Sequence, residues 1–474
     1  MPSRRDQVQS YQFFVQRMTS ALVARDPDPD AAPFRRLGGA GLGGIMVAVL
    51  CLAAVGVYGL LRPGGATSWK AGDAVIVEKE TGTRYIFRDG QLHPVLNYAS
   101  ALLAMGTSAK TKQVSRNSLT GTPRGSRIGI PDAPDALPDP KRMLAGPWTL
   151  CSQPASNAAG DTVATTVLTV GSSPVGGRQP GDTALLALDA DTDRLYLIWH
   201  DHRYQITNKK IVLEGLTMNA EPTVVAGGAW LNALPAGEPI GIRSVSGRGE
   251  TSDAVPDGVV GRVYVVESQS GTKQYYLASS SNLVPLTGVQ ADILLADPAT
   301  RAAYEGREPR AEPLAADAAA AADKAPAAED GAFRAPAQRP DIARLTGARP
   351  AVCAEYRPGQ DEPQVVLDAQ VEPVKEPVST AGRTSEGVPL ADRVVIEPGY
   401  GVLVSALPSP DAPTGTLNLV TDLGFRYPLS SNDVPAMLGY GQSKQVRLPA
   451  SLVVRLPSGP ALDPEAAKRP LDTQ

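Results

Sequence analysis

Few residues in this chain have the types and spacing that chemistry requires. Three histidines occur, His93, His200 and His202, and three cysteines, Cys51, Cys151 and Cys353. His200 and His202 flank Asp201, as metal ligands can. No third or fourth ligand stands near them and they fall in a hairpin turn, so an exposed polar turn is the expectation. Serines abound, but no GxSxG elbow is present to support a hydrolase triad. A P-loop needs the lysine and the backbone N–H groups of GxxxxGK[ST] around the phosphates, and no Gly-Lys dipeptide exists in the sequence. Gly39, Gly41 and Gly44 fit GxGxxG, but no strand-helix-strand unit surrounds them. Trp69, Trp148, Trp199 and Trp230 are too scattered to form a sugar-binding row. No catalytic, cofactor-binding or metal residues are therefore assigned, and a scaffold is expected rather than a catalyst.

The elements around these residues are more informative. Gly38 to Leu61 reads GGAGLGGIMVAVLCLAAVGVYGLL and carries no charge. As a helix it spans about 36 Å, enough for a hydrocarbon core of about 30 Å. A run this long with no polar face fits lipid better than a buried core, and a signal peptide has a shorter apolar region nearer residue 1. An uncleaved membrane anchor is the reading. Gly39 and Gly43 also form GxxxG, a spacing that lets two spans approach closely and that also arises by chance in a Gly-rich helix. Cys51 lies in this run, which leaves Cys151 and Cys353 as a pair. Outside the membrane such thiols oxidise, so a Cys151–Cys353 disulfide is expected. Arg4, Arg5, Arg17, Arg25, Arg35 and Arg36 precede the span, while Arg62, Lys70 and Lys79 follow it, a weak charge bias. The cysteine pair and the lack of a second span place the N-terminus inside.

Within the arm, residues 1–37, the stretch Asp6 to Arg25 predicts a helix that Pro27 and Pro29 end. Val8, Tyr11, Val15, Met18 and Leu22 recur on one face. A helix of this length is marginal alone in water, so the stripe must bury against something. A membrane surface and a partner protein are the two candidates. The acidic Asp6, Asp26, Asp28 and Asp30 weaken attraction to anionic lipid and favour the partner.

The remaining chain is long for one core. Its charge is mixed, net −4, which argues against nucleic acid. With 5% aromatics, 46 glycines and 43 prolines it reads as short strands and turns. A diverged unit of three strands and a helix occurs four times. The strands are AVIVE, RYIF and QLHPV; ALLAL, RLYLIW and RYQIT; RVYVVE, QYYLAS and LVPL; GVLVS, TLNLVTD and FRYPL. Pro94, Pro285 and Pro428 mark the register of the third strand, where the second copy has Gln205. Such units cannot bury an apolar face alone and must pack on one another or on something central. GPWTLC and ATTVLTVG, with AVCAEY, QVVLDAQV and RVVIEPG, read as one central β domain built from two separated stretches. The expected fold is mostly β with short helices and one N-terminal transmembrane helix, with four β-β-β-α repeats around a central discontinuous β domain. Its segments are the arm (1–37), the span (38–61), repeat 1 (70–106), the first central stretch (107–180), repeat 2 (181–217), a connection (218–261), repeat 3 (262–296), an Ala/Pro-rich flexible linker (297–349), the second central stretch (350–398), repeat 4 (399–441) and a C-terminal segment (442–474).

These segments in this order resemble the EccB family of the actinobacterial type VII (ESX) secretion system. The likeness is carried by RRDQVQSYQFFVQR (Arg4 to Arg17), Arg35-Arg36 before a single span, GTPRGSRIGIPDAPDALP (Gly121 to Pro138), GPWTLC, VTDLGFRYPL (Val420 to Leu429), LGYG (Leu438 to Gly441) and RLPSGPALDPEAA (Arg455 to Ala467). The resemblance implies an elongated extracytoplasmic domain with four repeats. It also implies self-association and assembly with EccC, EccD and EccE in a membrane complex that exports small helical proteins of the WXG100 class. Members are often called ATPases, so ATP is the one cofactor it suggests. The alternatives to a structural export component are an ATPase of that system and a cell-wall hydrolase or binding module.

Overall fold

The computed structural model describes residues 3–25, 35–61, 67–156, 159–160, 162–326, 333–347, 350–360, 362–371 and 377–471. They fall into two compact units, residues 1–92 with 110–125, and residues 93–109 with 126–474.

The first unit opens with α1 (Arg4–Ala24). Ser3 caps it: its hydroxyl accepts from the Asp6 amide at 3.3 Å and its own amide donates to the Asp6 carboxylate at 2.9 Å, a reciprocal capping box. Asp6, expected as the first helical residue, is thus already inside the helix. Pro27 and Pro29 lie outside the described residues. Helix α2 (Arg35–Leu61) follows. A short 3₁₀ turn at Ser68–Ala71 then sends Trp69 into a core with Ile76, Tyr85, Leu92, Val114 and Leu119. Strands β1 (Ala74–Glu78), β2 (Arg84–Arg88) and β3 (Gln91–Val95) run antiparallel in sequence, and the chain passes into the second unit within β3. It continues through α3 (Tyr98–Met105) and returns as β4 (Lys110–Val114), parallel to β1. Helix α4 (Arg116–Leu119) closes this unit.

In the second unit, β5 (Trp148–Ser156) and β6 (Thr162–Val170) begin the central sheet. Next come β7 (Leu185–Asp189), β8 (Leu195–Trp199), β9 (His202–Ile206), α5 (Lys209–Gly215), β10 (Thr223–Ala226) and α6 (Gly228–Ala233). A small ribbon of β11 (Thr251–Ser252) and β12 (Gly258–Val259) precedes β13 (Val263–Glu267), β14 (Lys273–Ala278), β15 (Leu283–Leu286) and α7 (Gly288–Ala296). Strand β16 (Glu312–Pro313) and helix α8 (Ala316–Ala321) come next. Strands β17 (Ala351–Tyr356), β18 (Gln364–Ala369), β19 (Val378–Ser379) and β20 (Arg393–Val395) complete the central sheet in the order β18-β17-β5-β6-β20-β19. The chain ends with β21 (Gly401–Leu407), β22 (Thr416–Thr421), β23 (Arg426–Pro428), α9 (Val434–Met437), β24 (Gln445–Pro449), α10 (Ala450–Val453) and α11 (Pro464–Lys468).

Four sheets share one plan. Three strands form an antiparallel meander, a helix crosses, and a fourth strand adds parallel to the first: β3-β2-β1-β4, β9-β8-β7-β10, β15-β14-β13-β16 and β23-β22-β21-β24. The fourth strand is absent from the three-strand unit read from sequence, and each one lies beyond its assigned segment. KTKQV and Glu312–Pro313 have no apolar alternation to mark them, because they add at a sheet edge by a non-local pairing.

A second shared element is a strap along the outer edge of the third strand. In the first sheet the Leu92 amide donates to the Pro123 carbonyl (2.8 Å). Gly125 donates to Leu92 (3.0 Å) and Ile128 to Pro94 (2.9 Å). The second sheet repeats this with Arg203–Pro235, Gly237–Arg203 and Ile240–Gln205, and the fourth with Arg426–Pro457, Gly459–Arg426 and Leu462–Pro428. In the third, Leu283 donates to Asp323 and Ala325 to Leu283. Between its bonds the strap advances three residues against two on the strand, so it bulges, and Pro94 and Pro428 have no N–H to leave unpaired there. Pro-x-Gly-x-x-Ile/Leu is its signature at Pro123, Pro235 and Pro457. The glycine is steric: a Cβ on Gly237 would lie 2.2 Å from Cε1 of buried Tyr204, and one on Gly459 2.2 Å from Cε1 of Tyr427. We expect Gly237→Ala to lower stability by about 1–3 kcal/mol through overpacking, read as the urea midpoint of the full chain in detergent. Gly82→Ala, where a Cβ meets open space but φ is +72°, is expected to cost about 1 kcal/mol through backbone strain alone.

The central sheet divides its residues by the strand period of two. Trp148, Leu150, Val352, Ala354 and Tyr356 face a core shared with Leu185, Ala187, Tyr196 and Ile198 of the second copy and Val402, Val404, Val446 and Leu448 of the fourth. Cys151, Ala351 and Cys353 face the other side. The second and third copies share a further core, in which Val289 and Ile293 of α7 meet Val212 of α5. Gly215 allows that approach, since a Cβ there would sit 2.8 Å from the Asp292 carbonyl oxygen. Helix α3 packs on α9 and α11.

Over its described residues, the Ala/Pro-rich segment 297–349 departs from the flexible linker expected. Pro298–Tyr304 form a 3₁₀ helix with Ala303 and Tyr304 buried, β16 pairs with β13, and α8 packs near it. Arg248 binds Asp297 at 2.6 Å. Of the alanines in α8 Ala319 alone is buried, and composition alone does not report that contact.

Candidate functional site

The stripe on α1 is uncovered in this structure. Val8, Tyr11, Val15, Met18 and Leu22 are 39 to 79% exposed, with Phe13 and Phe14 beside them. Nothing among the described residues covers it. Helix α2 contains the one described helix long and apolar enough to cross a membrane, Gly38–Gly59, with mean hydropathy 2.4 and no part of that window buried. Cys51 is a free thiol exposed on it.

Cys151 on β5 and Cys353 on β17 are bonded, S–S 2.07 Å. They stand directly opposite each other across the antiparallel pair, both buried among Ala351, Val366 and Ala369. The crosslink joins the two separated stretches of the central sheet.

The histidine turn differs from an exposed polar loop. His200 and Asp201 form the β8–β9 turn, both at positive φ (43° and 62°), as a tight hairpin twisted to match its strands requires. His200 is half exposed, stacked on Trp199 at 3.8 Å with Asp182 3.3 Å away. Asp201 accepts from the Val365 amide at 2.6 Å, and its burial pushes its carboxyl pKa up. His202 belongs to β9 and is buried, with Nδ1 2.8 Å from the His200 carbonyl, Nε2 3.8 Å from Glu362 and its ring edge-on to Phe333. The turn docks the second copy onto the central sheet. Among the described residues no three His, Cys, Asp or Glu side chains group as metal ligands.

Buried charge elsewhere is used for joining. Asp392 accepts from both the amide and the hydroxyl of Thr166, each at 2.7 Å, tying the run into β20 to β6. Glu355 accepts from Ser173 and Arg357. In the first unit Arg116 lies 2.7 Å from buried Glu78, which also accepts from the Tyr85 hydroxyl at 3.2 Å. Arg116, before the opposing effect of burial, holds the Glu78 pKa below its ordinary 4.5. A depressed acid stabilises the fold above its unfolded pKa, and that contribution disappears as pH falls through the folded value. The first unit should therefore lose stability on acidification below about pH 4.5. Glu78→Gln should flatten that part of the curve, checked by tryptophan emission of Trp69 against pH.

Comparison with known proteins bears on this arrangement. A family model described as "Type VII secretion system ESX-1, transport TM domain B" matches residues 1–474. The ESX-3 secretion system ATPase EccB3 of Mycolicibacterium smegmatis is 28% identical over 97% of this chain and 89% of its own length. Among solved structures, a chain of an intact ESX-5 inner membrane complex shares the fold at TM-score 0.59 and 22% identity, covering 100% of this chain and 96% of that one. The EccB3 dimer from the ESX-3 core complex gives TM-score 0.56 and 24% identity, over 83% of this chain and 99% of that one. On the whole-chain match to its model, this chain belongs to the EccB family of type VII (ESX) secretion systems.

Proposed function

We propose that this chain is a structural core component of an ESX complex in the cytoplasmic membrane. Helix α2 spans the bilayer, α1 lies in the cytoplasm and the β-rich part lies outside. The observation that carries this is the uncovered apolar stripe of α1 on one side of an apolar helix and a disulfide-bonded β scaffold on the other. Disulfides persist where thiols are oxidised, which suits the exported side. Structural relatives come from inner membrane complexes and an EccB dimer. That supports EccC-, EccD- and EccE-like components and a second copy of this chain as partners, with WXG100-type cargo passing through the assembly. The stripe of Val8, Tyr11, Val15, Met18 and Leu22 is the partner-binding face.

Relatives carry the name ATPase, and the reading favoured here is non-enzymatic. The sequence lacks the Gly-Lys pair of a P-loop, and Glu78, Glu355 and Asp392 are engaged in bonds to neighbouring segments. Native purification from membranes should recover the complex with this chain in it, and the rigorously purified full chain should show no ATP turnover above background. Turnover that a point mutation in this chain abolishes would overturn the non-enzymatic reading. Isolation of the chain alone, free of membrane partners, would overturn the scaffold reading.

A further inference from the structure

A cavity of about 290 Å³ opens where three parts of the second unit meet. The strap of the second copy contributes Pro235 and Ala236, strand β17 and the turn after it contribute Tyr356 and Pro363, and the fourth copy contributes Leu407 and Arg447. The volume sits at the lower end of small-molecule sites, about 300 Å³. The walls are mainly prolines, alanines and leucines, and the described lining contains no carboxylate. Its one charged side chain, Arg447, is exposed and held to the β21–β22 loop by bonds from its two terminal nitrogens to the carbonyls of Ala412 (2.9 Å) and Pro413 (3.3 Å).

Positive charge also stands behind the floor. Arg203 and Arg455 are the charged neighbours of buried Tyr356. Arg203 donates to Asn232 at 2.9 Å, and Arg455 to the carbonyls of Ser451 (2.9 Å) and Pro389 (2.7 Å). No described carboxylate lies within ion-pair distance of either. Burial, reinforced by the neighbouring Arg203, brings the Arg455 pKa down to about 10. The Tyr356 hydroxyl and Arg203 Nε are buried without hydrogen-bond partners. Arg203 lies over the Tyr196 ring, 5.6 Å from its centroid, and feels the charge of Asp189. Arg455 has no such acid beside it among the described residues, and a buried cation without a paired anion is costly, a cost that a nearby anion relieves. Glu362 adjoins the mouth, but its carboxylate is turned toward His202.

We propose that this cavity is a binding site for a small apolar carboxylate. The apolar body fills the space between the proline walls, and the carboxylate meets Arg447 in the field of the two buried guanidiniums. Either a free small acid or the C-terminal carboxylate of an apolar peptide end supplies that chemistry.

The test uses the full chain in nanodiscs and fluorine NMR. The probes are 4-fluorobenzoate, 4-fluorobenzyl alcohol and 4-fluorobenzylamine. A short peptide ending in leucine, with its carboxylate free or amidated, competes against them. 4-Fluorobenzoate should bind at least tenfold tighter than the alcohol, and the amine should not bind. Arg447→Gln should weaken the acid at least fivefold and leave the alcohol unchanged. Ala236→Trp, placed at the exposed rim, should block all probes while the Cys151–Cys353 bond and the thermal midpoint stay as in the parent. Competition by the free-carboxylate peptide, and none by its amide, would assign the peptide source. Binding of 4-fluorobenzoate without peptide competition would assign the free acid. Equal affinity for acid, alcohol and amine, acid binding unaltered in both variants, or no binding of either carboxylate would overturn the proposal.

Discussion

Replacing Cys151 and Cys353 together by alanine should lower the stability of the β-rich part by about 2–5 kcal/mol. The two residues are separated by 202 positions. Closing so long a loop removes much entropy from the unfolded chain, about 5 kcal/mol in the chain-entropy account, with measured values usually lower. The fold adds a local reason. Strand β17 lies between β18 and β5, so the pair stands well inside the sheet, and the chain between β6 and β17 makes two four-stranded sheets and the β11-β12 ribbon before returning. Without the crosslink, the pairing of β5 with β17 must close that whole excursion by hydrogen bonds and burial alone. The measurement is the urea midpoint of the full chain in detergent, compared with Cys51→Ser, which should be silent because Cys51 is free and exposed on α2. An unchanged midpoint in the double variant would mean that the sheet does not depend on the bond.

The second large effect is expected at the arm. Changing Tyr11, Val15 and Met18 together to serine should detach the chain from its membrane partners and stop export, while membrane insertion and the disulfide remain intact. Burial of each such side chain is worth about 1.5–3 kcal/mol, so three of them supply several kcal/mol, less the cost of ordering the arm. The capping box at Ser3 and Asp6 is untouched by the changes, so the helix start is preserved and the apolar face alone is removed. Co-purification of the partners with the chain, followed by export of cargo in cells, reads the result. If partners and export both persist, the face serves only as a membrane-surface contact.

Much of the fold is readable locally. The membrane span, the arm helix, the three meander strands of each copy and five of the six strands of the central sheet show as period or composition in contiguous residues, while the two-residue β19 leaves no such mark. The Cys151–Cys353 pair follows from elimination, and the register of the third strands from Pro94, Pro285 and Pro428. The strap also leaves a signal, because Pro123-x-Gly125, Pro235-x-Gly237 and Pro457-x-Gly459 each precede Ile or Leu by the same interval. Two of those stretches enter the sequence reading only as family likeness. His202 departs from its expected exposure because a histidine after a turn looks exposed in sequence, and only the approach of the β17–β18 turn and Phe333 buries it.

By itself, then, the sequence determined which short segments become strands or helices, where an apolar helix can lie in lipid, and which two thiols can meet. Those properties depend on neighbours within a few residues and on simple partition between water and apolar surroundings. Tertiary structure decided everything that depends on pairing at long separation. It added β4, β10, β16 and β24 to their sheets across helical crossovers. It settled the Ala/Pro-rich stretch onto the third sheet and placed the second and fourth copies on one face of the central sheet. It also gathered Pro235, Tyr356 and Arg447 around one cavity. A parallel edge strand of two to five residues gains its stability from the strand it joins rather than from its own side chains, so nothing in KTKQV or Glu312–Pro313 announces it before the partner strand is in place.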